Sequence, residues 1–370
     1  MSATKRRSEA IWIESKSYWQ IKVQRDGVRK AFTSSQKGRK GKHEAEAKAD
    51  KWLEEGTSDM RFDAAWATFL QYKKTHTGTS NWKQLECYGR MYILPNIKNV
   101  KLDSITPVKW QSCIDCAYAK GLSKRTCGNI RAAISAFVVH ARRERWTISP
   151  IEEGDLIVPK DAPVGKRSIL QPDDLKLLFT ESTIQKNGRP SPSHYIHAWR
   201  FMVLTGLRRG ELCGLRNEDI QGNVVHIQRS INEQLELTRG KNDNANRWFV
   251  LSTTASQILS EQKEHLRKCG IISPWVFPDK FGEQTNPKHL YEYWRTYRDQ
   301  HGIKSSLHEL RHTFISAVKT QMPLPLLKSL VGHSESMDTY GVYGHQMDGE
   351  MLETANIIDD VFSRILDAKA

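Results

Sequence analysis

The sequence predicts a multidomain α+β protein, and three patterns along the chain indicate this class. Near the N-terminus, apolar and polar residues alternate on both sides of Asp26-Gly27, which is the pattern of a β-hairpin. Apolar residues then recur at three-to-four-residue spacing through residues 61–148, as in amphipathic helices. Helical spacing continues through most of residues 165–370 but changes to strand alternation around 223–251. We therefore expect a small sheet with a helix, an all-helical domain, and a mainly helical domain with one small antiparallel sheet.

The first of these domains is predicted to span residues 1–56. A first strand is expected in "AIWIES", the hairpin in "YWQIKVQRDGVRKAF", and a helix in "HEAEAKADKWLEEG". Between residues 29 and 42 lie six basic residues and no acidic one. Basic strands can lie in a DNA groove, but a solvated hairpin with a flexible basic loop is the simpler interpretation of an isolated hairpin.

The second domain is predicted to span residues 61–148 and to be joined by a linker, residues 149–164, to the third, residues 165–370. Thr106 and Ser123 are expected to begin helices, because a hydroxyl side chain can accept a hydrogen bond from the first helical turn. The helix after Ser123 carries basic residues opposite its apolar stripe, with Lys124, Arg125 and Arg131 among them. The linker contains proline and lacks a helical period.

Charge and composition favour an anionic partner. The 370 residues include 56 Lys and Arg against 42 Asp and Glu, for a formal net charge of +14. This excess suggests nucleic acid or an acidic surface, with an uninvolved basic surface as the alternative.

The six cysteines are scattered, which favours buried thiols in a reducing, cytoplasmic setting over a disulfide framework. No apolar stretch is long enough for a transmembrane span, and we expect no signal peptide.

The segment "LHELRHTF", residues 307–314, has two interpretations. His308-Glu309-Leu310-Arg311-His312 spells H-E-x-x-H, a zinc-hydrolase pattern in which two His bind the metal and the Glu is a general base. The same letters place Arg311 three residues after His308, which suggests a phosphate site. The extended zinc motif is absent, because Ile315 and Val318 occupy its Gly and His positions. A third ligand from further along the chain is not excluded by the motif.

Five separated motifs favour the phosphate interpretation when taken together. In chain order they are Thr205-Gly206-Leu207-Arg208 with Glu211, then Lys241 in a polar turn between strands, His308 with Arg311, Gly332-His333, and Tyr343. In this order and spacing they resemble the tyrosine recombinases, or phage integrases, especially the three-domain integrases of temperate phages and conjugative transposons. The resemblance is specific in residues 165–370 and general in pattern for the two N-terminal domains.

The resemblance implies a set of roles. Arg208, Lys241, His308, Arg311 and His333 would be catalytic, Tyr343 would be the nucleophile, and Glu211 would give structural support. Each of two arginine side chains can bind non-bridging phosphate oxygens with two parallel hydrogen bonds. A lysine can protonate the departing 5′ oxygen. Tyr340 competes with Tyr343, while Arg239 and Arg247 compete with Lys241. No G-x-x-x-x-G-K-[ST] motif is present, and we expect neither a cofactor nor a metal.

The implied partner is double-stranded DNA with core-type and arm-type attachment sites. The predicted DNA contacts are Lys22, Arg25, Arg29, Lys30, Lys124, Arg125 and Arg131. A homotetramer on DNA is expected, with an excisionase and a host DNA-bending protein as candidate helpers, in the cytoplasm at the bacterial nucleoid. The alternatives are a non-catalytic DNA-binding regulator with the same fold and, more remotely, the zinc hydrolase. A type IB topoisomerase would be a close chemical relative.

Overall fold

The computed structural model of the chain describes residues 9–25, 28–55, 60–165, 168–238, 246–332 and 349–367. The chain divides into two compact units, residues 1–165 and 166–370. Buried apolar side chains of the described residues form two clusters in the first unit and one larger cluster in the second. The mainly α+β class expected from the sequence is confirmed. No described helix has the length and apolar character that a membrane span requires.

The N-terminal part of the first unit is a three-stranded antiparallel sheet covered by one helix. Its elements are β1 (Ile11–Ile13), β2 (Tyr18–Arg25), β3 (Val28–Ser34) and α1 (Gly38–Glu55), with strand order β1-β2-β3. Ile21 and Val23 of β2 are buried with Ala45 and Ala49 of α1. The basic stretch 29–42 is therefore divided among β3, the short connection 35–37 and the start of α1, so most of it lies in regular elements rather than in a long loop.

The remainder of the first unit is helical, as the spacing of apolar residues predicts. Thr106 accepts a hydrogen bond from Lys109 N and Ser123 one from Thr126 N, so both predicted helix starts are confirmed. The helices and the π-helical turn among them are α2 (Phe62–His76), α3 (Thr79–Tyr88), the π turn Gly89–Ile93, α4 (Leu94–Ile97), α5 (Pro107–Ala119) and α6 (Lys124–Arg143).

Residues 149–164 pack on this helical cluster. Leu156 is buried in it, and the Gln111 side chain of α5 bonds both backbone groups of Ile157 (Nε2 to O, 2.9 Å; Oε1 from N, 2.8 Å). Lys124 N donates to Pro163 O at 2.8 Å. The segment thus has side-chain and backbone attachments over most of its length, even though it has no helix or strand.

The second unit is mainly helical. Its elements are α7 (Pro172–Thr180), β4 (Thr183–Lys186), β5 (Arg189–Pro192), α8 (Ile196–Thr205), α9 (Arg209–Cys213), β6 (Ile220–Gln221), β7 (Val224–Ile227), β8 (Ser230–Ile231), β9 (Leu237–Thr238), β10 (Arg247–Val250), α10 (Thr253–Lys268), α11 (Pro287–Gln300), α12 (Leu307–Val318), α13 (Leu324–Val331) and α14 (Glu350–Asp367).

Its strands are more divided than the sequence suggests. β10, β7 and β6 form a three-stranded antiparallel sheet, β8 pairs with β9, and the β4–β5 hairpin was not expected. α8, α12 and α14 pass through or cover the core, where Trp199, Phe314 and Phe362 are almost completely buried. These helices bring the ends of α8 and α12 to the neighbourhood of α9, and the site is built there.

Candidate active site

The turn between α8 and α9 explains the spacing of Thr205-Gly206-Leu207-Arg208. Gly206 ends α8 with φ of +64°, a conformation that strongly favours glycine. A Cβ atom there would also lie 2.5 Å from the Phe314 ring. This turn places Arg208 immediately before α9, with its backbone extended (φ −72°, ψ 149°).

Glu211 binds both the backbone and the side chain of Arg208. One carboxylate oxygen accepts from Arg208 N at 3.0 Å, and the other accepts from Arg208 Nη1 at 2.6 Å. The three-residue interval from Arg to Glu is therefore a helix-capping geometry that also orients a guanidinium. Burial of Glu211 raises its pKa, but the charge and hydrogen bonds of Arg247 and the contacts with Arg208 outweigh this effect and keep the pKa below its usual range.

Arg247 is the second arginine on Glu211, and it lies on the inner side of β10. Its Nη2 donates to one Glu211 oxygen at 2.9 Å, its Nη1 to the other at 3.3 Å, and its Nε to Leu330 O at 2.7 Å. The side chain is 6% exposed. Its inward direction follows from strand alternation, since Arg247 and Phe249 are buried and Trp248 between them is exposed. Arg247 is therefore not placed to act in the role of Lys241.

Arg311 comes from α12, whose apolar stripe of Leu307, Leu310, Phe314 and Val318 is buried. Its Nη1 donates to Gly206 O at 2.6 Å and its Nη2 to Val331 O at 2.7 Å. Arg208 Nη2 donates to the next carbonyl, Gly332 O, at 2.9 Å. Both arginines named by the motifs are thus attached to the C-terminal end of α13. His308, on the same helix as Arg311, is exposed.

The site concentrates positive charge. Arg208, Arg247 and Arg311 surround one carboxylate, that of Glu211. Burial, with the like charge of Arg208 and Arg247, lowers the pKa of Arg311 to about 9, so it remains protonated at neutral pH. An anion stabilises a buried cation that lies beside like charges. The N–H groups of a guanidinium match the oxygens of a phosphate in geometry.

The Glu309 carboxylate caps α12. It accepts hydrogen bonds from the backbone N–H of Ser306, three residues earlier, and from Ser168 N at 2.8 Å. Burial raises the Glu309 pKa, but these hydrogen bonds lower it further than burial raises it. The rings of His308 and His312 lie edge to face with centroids 4.9 Å apart. Within the described ranges, no group of three or more His, Cys, Asp or Glu is placed to hold a metal ion.

Three residues of the predicted catalytic set lie outside the described residues. These are Lys241, His333 and Tyr343, and the competing Tyr340 lies there too. The structure brings together Arg208, Glu211 and Arg311, and it adds Arg247, which sequence reasoning considered only as a rival of Lys241. No clear signal for Arg247 is present in the sequence, because three apolar residues follow it in "RWFV" and the letters do not show which face of the strand is buried.

The predicted DNA contacts of the N-terminal sheet lie on two faces. Lys22 and Arg29 are exposed on one face, because Lys22 pairs with Ala31 and Arg29 with Gln24. Lys30 pairs with buried Val23 and therefore lies on the helix-covered face, with Nζ 5.7 Å from the Phe32 ring centroid. The Arg25 side chain is outside the described set. On α6, the predicted contacts Lys124, Arg125 and Arg131 are all exposed.

Residues 168–350 match the model of the phage integrase family. The "Tyrosine recombinase XerC-like" protein of Caldanaerobacter subterraneus subsp. tengcongensis is 22% identical over 359 residues, which covers 87% of this chain and 90% of that protein. Tyrosine recombinase XerA of Pyrococcus furiosus is 26% identical over 200 residues, 51% of this chain and 65% of that protein.

Solved structures with a similar fold include two integrases. The Tn1549 transposon integrase, in complex with transposon right end DNA, has a TM-score of 0.61 and 17% identity and covers 81% of this chain and 99% of its own. A lambda integrase tetramer bound to a Holliday junction has a TM-score of 0.59 and 16% identity and covers 90% and 97%. The domain that contains residues 168–350 is of the tyrosine recombinase (phage integrase) family, whose members catalyse DNA strand cleavage and rejoining.

Proposed function

We propose that this protein is a site-specific DNA recombinase of the integrase type, which integrates and excises a mobile element or prophage. The observation that carries the proposal is the pair Arg208 and Arg311, both held by backbone carbonyls at the end of α13. Each guanidinium has five N–H donors. The bonds described above occupy some donors of each, and the remaining donors of the half-buried Arg208 are available to phosphate oxygens.

The proposed reaction needs no cofactor and conserves the energy of the broken bond. The Tyr343 oxygen attacks the phosphorus, the bond to the 5′ oxygen breaks, and a 3′-phosphotyrosine forms. Lys241 gives its proton to the departing 5′ oxygen. Since free tyrosine titrates near ~10, a base is required, and His308 or His333 serves as that base or as a further donor. Attack by a 5′-hydroxyl of the partner DNA reverses these steps and rejoins the strands.

Arg208 and Arg311 would replace the metal ions of two-metal nucleases by stabilising the pentacoordinate phosphate. We therefore expect metal-independent cleavage, with Glu211 as structural support. The DNA substrate implies action in the bacterial cytoplasm, at the nucleoid. Residues 1–56 are proposed to bind arm-type sites through Lys22, Arg25 and Arg29, with Lys30 on the opposite face of the sheet. The helix α6 is proposed to bind the core site through Lys124, Arg125 and Arg131. Residues 149–164 then lead to the catalytic domain at 165–370.

Recombination joins two duplexes, and each must be cut on both strands. One tyrosine per chain cuts one strand, so the active complex requires four chains. In this structure α14 packs on its own unit, with Phe362 against Phe314 and the Asp359 carboxylate accepting from Thr254 N at 3.0 Å. We propose that within a DNA-bound tetramer this helix docks on a neighbouring chain, and that an excisionase and a DNA-bending protein assist.

The test is formation of a covalent adduct on a nicked duplex that carries a boundary of the encoding element. Wild-type protein and Tyr340→Phe should form a denaturation-resistant protein–DNA adduct, in excess EDTA as well as without it. Tyr343→Phe should bind the DNA and form none, because it lacks the attacking oxygen. Adduct with Tyr343→Phe but not with Tyr340→Phe would reverse the assignment. DNA binding without any adduct from the wild-type protein would favour the non-catalytic regulator.

A further inference from the structure

The C-terminal end of α13 is held by three arginines from three different elements. Leu330 O accepts from Arg247 of β10 at 2.7 Å, Val331 O from Arg311 of α12 at 2.7 Å, and Gly332 O from Arg208 at 2.9 Å. The last carbonyls of a helix have no partner within it, and the helix end carries partial negative charge, so cations there are favourable. Three successive carbonyls are satisfied in this way, and the next residue in the chain is His333.

Arg247 differs from the other two arginines in what its guanidinium contacts. Nε is bonded to α13, and Nη1 and Nη2 are bonded to the two oxygens of Glu211. The side chain is almost completely buried, so it is not placed to contact a substrate. Its contacts instead join the two parts that carry the proposed chemistry: Glu211, which orients Arg208, and the helix end that precedes His333.

Glu211 transmits the position of Arg247 to Arg208. Each of its oxygens accepts one hydrogen bond from Arg208 and one from Arg247. Without Arg247, the Glu211 carboxylate would keep its hydrogen bonds from Arg208 but lose those from Arg247. Leu330 O would lose the hydrogen bond that Arg247 donates to it. The carboxylate and the helix end would then both be able to shift, and a displacement of about 1 Å at a reacting centre costs on the order of 100-fold in rate.

We propose that Arg247 is a positioning residue for strand cleavage, acting through Glu211 on Arg208 and through Leu330 on the end of α13. This inference rests on the proposed recombinase function. Arg247→Lys is the decisive change, because lysine retains the charge but is a point donor and cannot replace the planar fork that reaches Glu211 and Leu330 together.

A matched control exists at Arg200 on α8. Arg200 is buried to nearly the same degree (6% exposed as a whole residue, against 7% for Arg247), and it also binds carbonyls near the end of a helix, with Nε to Leu178 O at 2.8 Å and Nη2 to Glu181 O at 3.2 Å. It precedes Gly206 by six residues, about 9 Å along the axis of α8. Arg200→Lys should therefore disturb stability in the same manner as Arg247→Lys without displacing the site.

The experiment measures the rate constant of adduct formation by the full chain at saturating nicked DNA. Arg247→Lys should cleave about 100-fold more slowly while binding DNA as the wild type does, and Arg200→Lys should cleave at the wild-type rate. The double variant Arg208→Lys/Arg247→Lys should be little slower than Arg208→Lys alone, because both changes disturb one guanidinium. A purely structural role would instead make the two losses multiply.

Three outcomes overturn the inference: Arg247→Lys cleaving at the wild-type rate, Arg200→Lys losing as much activity as Arg247→Lys, or multiplicative losses in the double variant. If Arg247→Lys does not fold, the paired variant Glu211→Gln/Arg247→Gln, which removes both charges, should fold and still cleave slowly; wild-type cleavage by it would also overturn the inference. Absence of adduct from the wild-type protein would instead contradict the proposed function, so the two failures are distinguishable.

Discussion

Replacing Glu211 by glutamine tests the central electrostatic contact of the site. The change keeps the size of the side chain but removes its negative charge and replaces one acceptor oxygen by an NH₂ donor. In the folded protein, the two oxygens accept from Arg208 N and Nη1 and from Arg247 Nη1 and Nη2. Whichever way the new amide is oriented, its NH₂ group faces donors from both arginines.

The magnitude follows from burial. Glu211 is 2% exposed, and removing one member of a buried ion pair costs about 3–5 kcal/mol, because the other charge is left uncompensated. In a unit of this size each kcal/mol lowers the melting temperature by about 2–4 °C, so we expect a decrease of roughly 6–20 °C. Cleavage should fall as well, because Arg208 loses the partner that orients it.

Thermal unfolding of the full chain, followed by circular dichroism, measures this effect, with Glu264→Gln as the control. Arg267 and Lys268 help to lower the pKa of Glu264 to about 2, yet this side chain is 43% exposed and water screens the interaction. Glu264→Gln should therefore leave the melting temperature almost unchanged. An equal shift from the two variants would refute the argument that burial, not pairing alone, sets the size of the effect.

The pH dependence of stability gives an independent check that the ionised Glu211 carboxylate stabilises the folded protein. The folded-state pKa of Glu211 is lowered, so its stabilising contribution is present above the unfolded-state pKa of about 4.3 and is lost as the pH falls through the folded value. The difference in melting temperature between wild type and Glu211→Gln should thus persist at pH 5 and narrow only in stronger acid. A difference that disappears between pH 7 and pH 5 would contradict this assignment.

Two further predictions concern other surfaces. Asp359→Ala removes the carboxylate that caps α10 through Thr254 and should cost about 1–2 kcal/mol in thermal unfolding, whereas Asp360→Ala, at an exposed neighbour, should cost little. Because hydrogen bonds lower the Asp359 pKa more than burial raises it, this difference should be lost only as the pH falls below about 4. In binding to long DNA, Lys22→Gln should reduce the salt dependence by about one phosphate contact, and Lys30→Gln should change it less; equal effects would contradict the two-face arrangement.

The parts of the fold that could be predicted from the sequence are those with a local cause. Helix starts at Thr106 and Ser123 follow from hydroxyl capping, and the hairpin around Asp26-Gly27 follows from strand alternation. The buried stripe of α12 follows from helical periodicity. Each of these depends on residues close together in the chain, so a short window contains the information.

The unexpected features depend on distant residues. The β4–β5 hairpin is attached by Gln300, whose side-chain amide bonds both backbone groups of Gln185, 115 residues earlier. The attachment of residues 149–164 by Gln111 spans 46 residues. Arg247 meets Glu211 across 36 residues and Leu330 across 83. A polar side chain that binds a remote backbone leaves no periodic signal, so motif order could identify the site but not the arginine behind it.

The arrangement also explains why the arginines of this site bind backbone carbonyls and share a single carboxylate. A phosphate pocket needs several cations close together, but such cations repel one another: the pKa of Arg311 is lowered first by burial and then by the like charges of Arg208 and Arg247. A second carboxylate would reduce the repulsion and would also compete for the cations with the phosphate. Carbonyl oxygens at a helix end attract guanidinium groups without a full negative charge, so they hold Arg208 and Arg311 in place while the site keeps its positive potential. One carboxylate and one helix end are therefore a better support for anion binding than a row of ion pairs would be.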